Sequence, residues 1–320
     1  KHQMATQRLF SQLAAEAHKD YHPSDAICTI GSAARSLGKA DMNVEVAAMA
    51  LNKEAMNRQL LNGNSNASTG PKEDLEGRIA QFKRVYCDPN DNNRALNGIC
   101  AAGGNIARRD KDVDFGRTLW QPWSIDVDFT DTTRTDDEED IIALASNLYN
   151  HEVFKSINPK LFENNSKNIE HYLDIRAIAA KRSVALNSFS TLAAMKARGT
   201  TDAAQTANYL REIMRELGIA NDADINAIMG EHPSYYAQME ILTKKMMQNP
   251  QFFVDLYDKP ANVTRVGVAL EALNLMQEND IYNSALRSEQ MMSVLLELRL
   301  SSGENSEKEY NQNKMRRMLK

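Results

Sequence analysis

Three cysteines, at positions 28, 87 and 100, are the residues best placed to form a covalent cross-link within this chain. Cys87 and Cys100 flank Asp88-Pro89-Asn90-Asp91-Asn92-Asn93, a run of turn-forming residues that lets two thiols meet. Closing so short a loop would stabilise the fold by about 3 kcal/mol in the chain-entropy description. Cys28 can equally pair with either of the others, leaving one thiol over. Three reduced, buried thiols are the cytosolic alternative. Zinc is disfavoured, because no CxxC pair exists and the histidines are distant in sequence.

Other residue groups imitate chemical sites without completing them. His18 and His22 lie four apart with Glu16 nearby, which is metal-ligand spacing on a helix, but Pro23 follows at once and no third ligand is identifiable. Asp88-x-Asn90-x-Asn92 and Asp110-x-Asp112-x-Asp114 both resemble the start of a calcium loop. The sixth position is Asn93 or Phe115 where glycine is needed, and the twelfth is Ile99 or Gln121 where glutamate is needed. Gly103-Gly104 before Arg108-Arg109 lacks the pattern of a phosphate-binding loop. The acidic run Asp136–Asp140 crowds its carboxylates on one helix end, whereas acid–base work needs two held in different environments. An envelope hydrolase using the Asp110–Asp140 carboxylates, with two of Asp112, Asp114, Asp126 and Asp128 converging in a pocket, is the enzymatic reading, and no GxSxG signature accompanies it. No catalytic residue, metal ligand or cofactor is therefore assigned.

Binding residues are easier to nominate. Both tryptophans, Trp120 and Trp123, fall within four residues and are suited to anchoring a partner. Nine of the fifteen methionines lie between Met195 and Met292, including the adjacent pairs Met246-Met247 and Met291-Met292. Adjacent residues cannot both face one narrow core stripe, so some methionine is expected at a groove or subunit interface. A core filled with methionine is the plainer explanation.

The elements that must position these residues are helical. Apolar residues at helical spacing predict a mainly α fold, a multi-helix array with an irregular, acidic, tryptophan-containing insertion in its N-terminal half. Helices are expected over Met4–His18, from a cap at Asp41 to Leu60, and over Lys72–Tyr86, with an exposed loop over Asn62–Pro71. Residues 101–135 break the pattern, and Ile125–Phe129 reads as a short strand or extended edge. Thr135-Asp-Asp-Glu138 has the form of a capping box opening the next helix. Helices then follow over Ile169–Arg198, Asp202–Leu217, Asp222–Met229 and Ser234–Gln248, a brief one runs from Pro250, and a long span runs from Pro260 to Leu300 with a weak point at Asn279-Asp280. This suggests a domain over residues 1–160, a second over 161–302, and a polar tail over 303–320 that is disordered or pairs with a partner.

Bulk properties restrict the function classes. A net charge of −5 provides no basic field for nucleic acid. No apolar run approaches the ~20 residues that a bilayer crossing needs. The chain begins Lys1-His2-Gln3-Met4, which fits a cleaved secretory signal or truncation of a longer chain. Tyr235–Lys245, Phe253–Val263, Asp280–Gln290 leading into Met291-Met292, and Tyr86–Asn93 are similar to segments of uncharacterised exported helical proteins of alphaproteobacteria that accompany conjugation-like type IV secretion systems. The resemblance implies a periplasmic, disulfide-permissive setting and a role within or beside a transport assembly, and it supplies no catalytic residues. The expectation is a structural or accessory subunit that meets envelope proteins, or a second copy of itself, through helix faces and the 101–135 segment. A cytoplasmic adaptor binding a peptide in a methionine-lined groove is the alternative.

Overall fold

The structure is a computed structural model that describes residues 25–60, 71–101, 105–129, 133–149, 153–154, 166–199, 204–219, 221–257 and 259–318. Helix predominates and no strand occurs among the described residues, as the periodicity predicts. The chief helices are α1 (Asp25–Gln59), α2 (Pro71–Gln81), α3 (Asp136–Leu148), α4 (Ser166–Lys196), α5 (Ala204–Glu216), α6 (Asp222–Met229), α7 (Tyr235–Glu240), α8 (Pro250–Asp255) and α9 (Pro260–Met318). The expected Met4–His18 helix, the expected Asn62–Pro71 loop as far as Gly70, His18, His22, Gly103 and Gly104 lie outside the described residues, as does the side chain of Cys28.

Local rules explain where several helices start or stop. Gly218 and Gly230 follow α5 and α6 with φ of +98° and +80°, a region glycine enters without penalty. Asn221 caps α6, Ser234 caps α7 and Asn249 caps α8, each through a side-chain oxygen that accepts a backbone N–H. Pro250 occupies the first turn of α8, where its missing donor costs nothing.

Two helices are longer than the sequence predicts. Asp41 lies inside α1, which buries Ala33, Leu37, Ala40, Val44, Leu51 and Ala55 at helical spacing on both sides of it. At the other end, α9 passes through Asn279-Asp280 unbroken and continues to Met318, so residues 303–318 are helical. Asparagine and aspartate disfavour helix only by tenths of a kcal/mol, roughly 0.7 at most, and no proline interrupts the run.

The chain divides into two compact units that interleave in sequence and do not follow a partition at residue 160. The first comprises Lys1–Val46, Leu119–Thr135 and Ala194–Glu278. Its core contains Leu119, Ile125, Val127, Leu210, Met229 and Ile241. The second comprises Ala47–Thr118, Asp136–Ala193 and Asn279–Lys320, with a core around Leu51, Tyr86, Ile141, Leu144, Leu186 and Phe189. A polar ladder crosses that second core, in which Asn52 donates to Asn187 at 3.0 Å and Ser190 donates to Asn52 at 2.9 Å. Such a ladder fixes helix register, because a slipped pairing would leave these groups unsatisfied.

Candidate functional site

In the second unit, α2 runs into a π-helical turn, Phe82–Tyr86, that ends at the buried Cys87. Cys87 and Cys100 are joined in a disulfide with their Cα atoms 5.4 Å apart. The loop they close turns back through Asn92, Asn93 and Arg94, all at positive φ. Asparagine tolerates this left-handed region better than most residues, which is why an Asn-rich stretch suits so tight a return. Asp88 and Asp91 of this loop meet Asp110, their carboxylate oxygens within 4.8 Å of one another. The two stretches that resembled calcium loops thus converge on one acidic trio. Asp110 is raised from its ordinary value by burial and by the charge of Asp91, with Asp88 adding to it.

Next to the trio stands a buried cation. Arg108 is 7% exposed. Its Nε and Nη2 donate to Asp140 Oδ1 at 2.9 and 2.6 Å, Nη1 to Asp136 at 2.6 Å, and Nη2 to Glu139 at 3.1 Å. Lys111 completes the set, 3.0 Å from the second oxygen of Asp140. The Tyr86 ring lies beneath the guanidinium at 5.8 Å. Burial opposes the charge of Arg108, but Asp140 outweighs it and raises the group above its ordinary value. The Arg108-Arg109 pair is therefore no open anion cradle. The acidic run of α3 is not merely an exposed helix end either: Glu138 and Asp140 are buried, and Asp140 is neutralised from two sides. Asp112 is also buried, and its carboxyl is pushed up by that burial, partly offset by a hydrogen bond from Asn147.

In the first unit, the tryptophan segment is tied down by a lysine that sequence reasoning overlooked. Lys196, the last residue of α4, is 1% exposed. Its Nζ donates to the carbonyls of Trp120 at 2.6 Å and Pro122 at 2.7 Å, and it sits 4.4 Å from the centre of the Tyr236 ring. Among the described residues no carboxylate pairs with it, and burial lowers its ammonium to about 8. The signal was present in the sequence: Lys196 falls three and seven residues after Ala193 and Phe189, on the apolar stripe of the helix.

The neighbouring backbone is clamped as well. Ile125 N–H donates to Lys196 O at 2.8 Å, and Ile125 forms an isolated parallel bridge with Ala197; Val127 N–H then turns back onto Ile125 O at 2.9 Å, so the pairing stops at that one residue and does not extend along Ile125–Phe129. Ser234 Oγ donates to Trp123 O at 2.6 Å while accepting from Ala237 N. Ser124 Oγ donates to Met229 O at 2.6 Å. Gly199 and Gly230 permit this closeness, since a Cβ added at them would lie 2.5 Å from Pro233 O and 2.8 Å from Ser124 Cβ.

The nominated binding residues separate accordingly. Trp120 is 65% exposed although its carbonyl is held. Trp123 is half-buried, with Lys245 5.9 Å from its ring centre. Met246 is buried, with Tyr209 Oη 3.7 Å from its sulfur, and so belongs to the core. Met247 is half-buried. Met291 and Met292 are exposed on α9, within a stretch that also exposes Ile281, Tyr282, Leu295 and Leu296. No helix of the described residues is long and apolar enough to cross a membrane. No known protein family matches this chain, and no similar protein was found among curated proteins or solved structures.

Proposed function

We propose that this protein is a non-enzymatic structural or accessory subunit of a bacterial cell-envelope secretion or conjugation assembly of the type IV kind, acting through protein–protein contacts. The observation that carries the contact-making role is the exposed apolar surface of α9 over residues 281–300. Isolated surface leucines are ordinary, but a concentration of large apolar side chains on one helix is characteristic of a surface that is covered by something. The Cys87–Cys100 bond supports the oxidising side of the envelope as the place where this happens.

Two further observations favour this reading over its competitors. Asp126 and Asp128 both pair with Arg198, and Asp114 pairs with Arg117, which leaves them poorly suited to proton transfer. Met246 is in the core, which removes one of the residues that a methionine-lined adaptor groove would need.

The deciding experiment is osmotic-shock fractionation of the native host, followed by non-reducing peptide mapping of the recovered chain. Recovery in the periplasmic or envelope fraction with a Cys87–Cys100 cystine is the expected result. A cytoplasmic protein with three free thiols would overturn the reading and favour the adaptor.

A further inference from the structure

The exposed surface of α9 has a repeat. Tyr282, Leu286, Glu289, Ser293, Leu296 and Leu300 follow one another at intervals of 4, 3, 4, 3 and 4 residues, and all six are exposed. That interval keeps them on one narrow stripe of the helix and is the spacing by which one helix packs along another. Ile281 and Met292, 69% exposed each, widen the stripe on one flank. The helix has its attachment elsewhere: Leu273 is buried and Val294 half-buried on a different side.

The extent of this surface points to what covers it. The exposed parts of Ile281, Tyr282, Leu286, Met292, Leu296 and Leu300 amount to roughly 700 Å2, above the ~300–600 Å2 of the largest apolar patch on a typical monomer. It approaches the ~800 Å2 that each partner contributes to a stable interface. A stripe with this interval requires a second helix of the same interval, and the chain itself carries one. We infer that α9 pairs with α9 of a second copy of this chain, antiparallel, about a two-fold axis near Met291.

Charge selects the direction. In a parallel, in-register pair Glu289 faces its own copy, two carboxylates opposed in an apolar seam. In the antiparallel pair the two-fold sets Tyr282 against Leu300, Leu286 against Leu296, and Glu289 against Ser293, a small uncharged residue whose hydroxyl donates to Gln290 O of its own helix at 2.8 Å. Glu297 and Arg299, which flank the seam, then fall level with Ala285 and Asn283, while Arg287 lies on the far side with Val294, so no like charges meet. An isologous contact of this kind satisfies both copies with one patch.

The pairing deepens the contact-making role proposed above and rests on it, but it is read out separately: a monomer in solution removes the pairing and leaves the fractionation result untouched. The test is sedimentation equilibrium of the full oxidised chain through the micromolar range. A dimer is expected, and Leu286→Glu combined with Leu296→Glu should raise its dissociation constant by about a hundredfold or more. Both leucines are exposed, so circular dichroism should record unchanged helix content. Direction is tested in a Cys28→Ser background by mixing Glu289→Cys with Ser293→Cys chains, which should cross-link to each other faster than either does to itself. A wild-type monomer throughout, a dimer indifferent to the double variant, or faster Glu289→Cys self-cross-linking would each overturn the inference.

Discussion

Asp110 holds a left-handed backbone, φ +59°, while its carboxyl faces Asp88 and Asp91. Because its folded value is raised by burial and then by Asp91, the carboxylate weighs against the native state wherever it is ionised. Asn tolerates the same φ, so Asp110→Asn should stabilise the protein by about 0.5 kcal/mol at neutral pH. The gain should vanish below the ordinary carboxyl value of 3.8, where wild type is protonated in both states. Urea unfolding in chelator at both pH values checks this. Lys196 behaves in the opposite sense. Its folded value, about 8, lies below the 10.5 of the unfolded chain. Its contribution is fully present above 10.5 and is lost as pH falls through 8. The stability of wild type relative to Lys196→Met should therefore climb between pH 8 and 10.5. A flat difference in parallel melts would show that the two carbonyls and the Tyr236 ring hold the ammonium at its ordinary value.

At the scale of elements, the segment carrying the tryptophans enters as a single π-helical turn, Gly116–Trp120, and beyond it is held at several backbone points. Ser234 joins two functions there, capping α7 and donating to Trp123 O. Ser234→Ala removes both, and should cost about 2 kcal/mol, at the upper end for a cap, because a buried carbonyl is also orphaned. Ser234→Thr, which keeps the hydroxyl, should recover part of that loss. Thermal or urea denaturation measures both, and a loss near zero would mean that water replaces the serine. Caps of this kind were partly legible. The sequence predicts α6 with its observed bounds and a helix beginning at Pro250, because Gly230 and Pro250 act within a few residues of the helix they border. The helical pattern starts α7 at Ser234, one residue early, because Ser234 is its cap.

For the whole molecule, the second unit depends on charge burial as well as on apolar packing. Arg108 holds the 105–111 segment against the first turn of α3 through Asp136, Glu139 and Asp140. Arg108→Met should therefore cost about 3–5 kcal/mol, since Asp140 would remain buried with only Lys111 to answer it. Arg117→Ala, on an exposed side chain, should cost well under about 1 kcal/mol. Chemical denaturation of the two variants side by side tests the contrast. By itself the sequence determined the helical class, the stops at Gly218 and Gly230 and the candidacy of Cys87 with Cys100. Each depends on residues adjacent in the chain or one helical turn apart, where periodicity and turn chemistry act directly. Tertiary structure alone chose Cys100 for Cys87, brought Asp88, Asp91 and Asp110 together, turned Arg108 inward onto α3 and placed Lys196 beneath the tryptophan segment. Those outcomes depend on which distant surfaces meet, and a local pattern of residue types carries no record of that choice. The interleaving of the two units has the same origin. Apolar stripes state that a helix must be covered, and only the folded chain states by what.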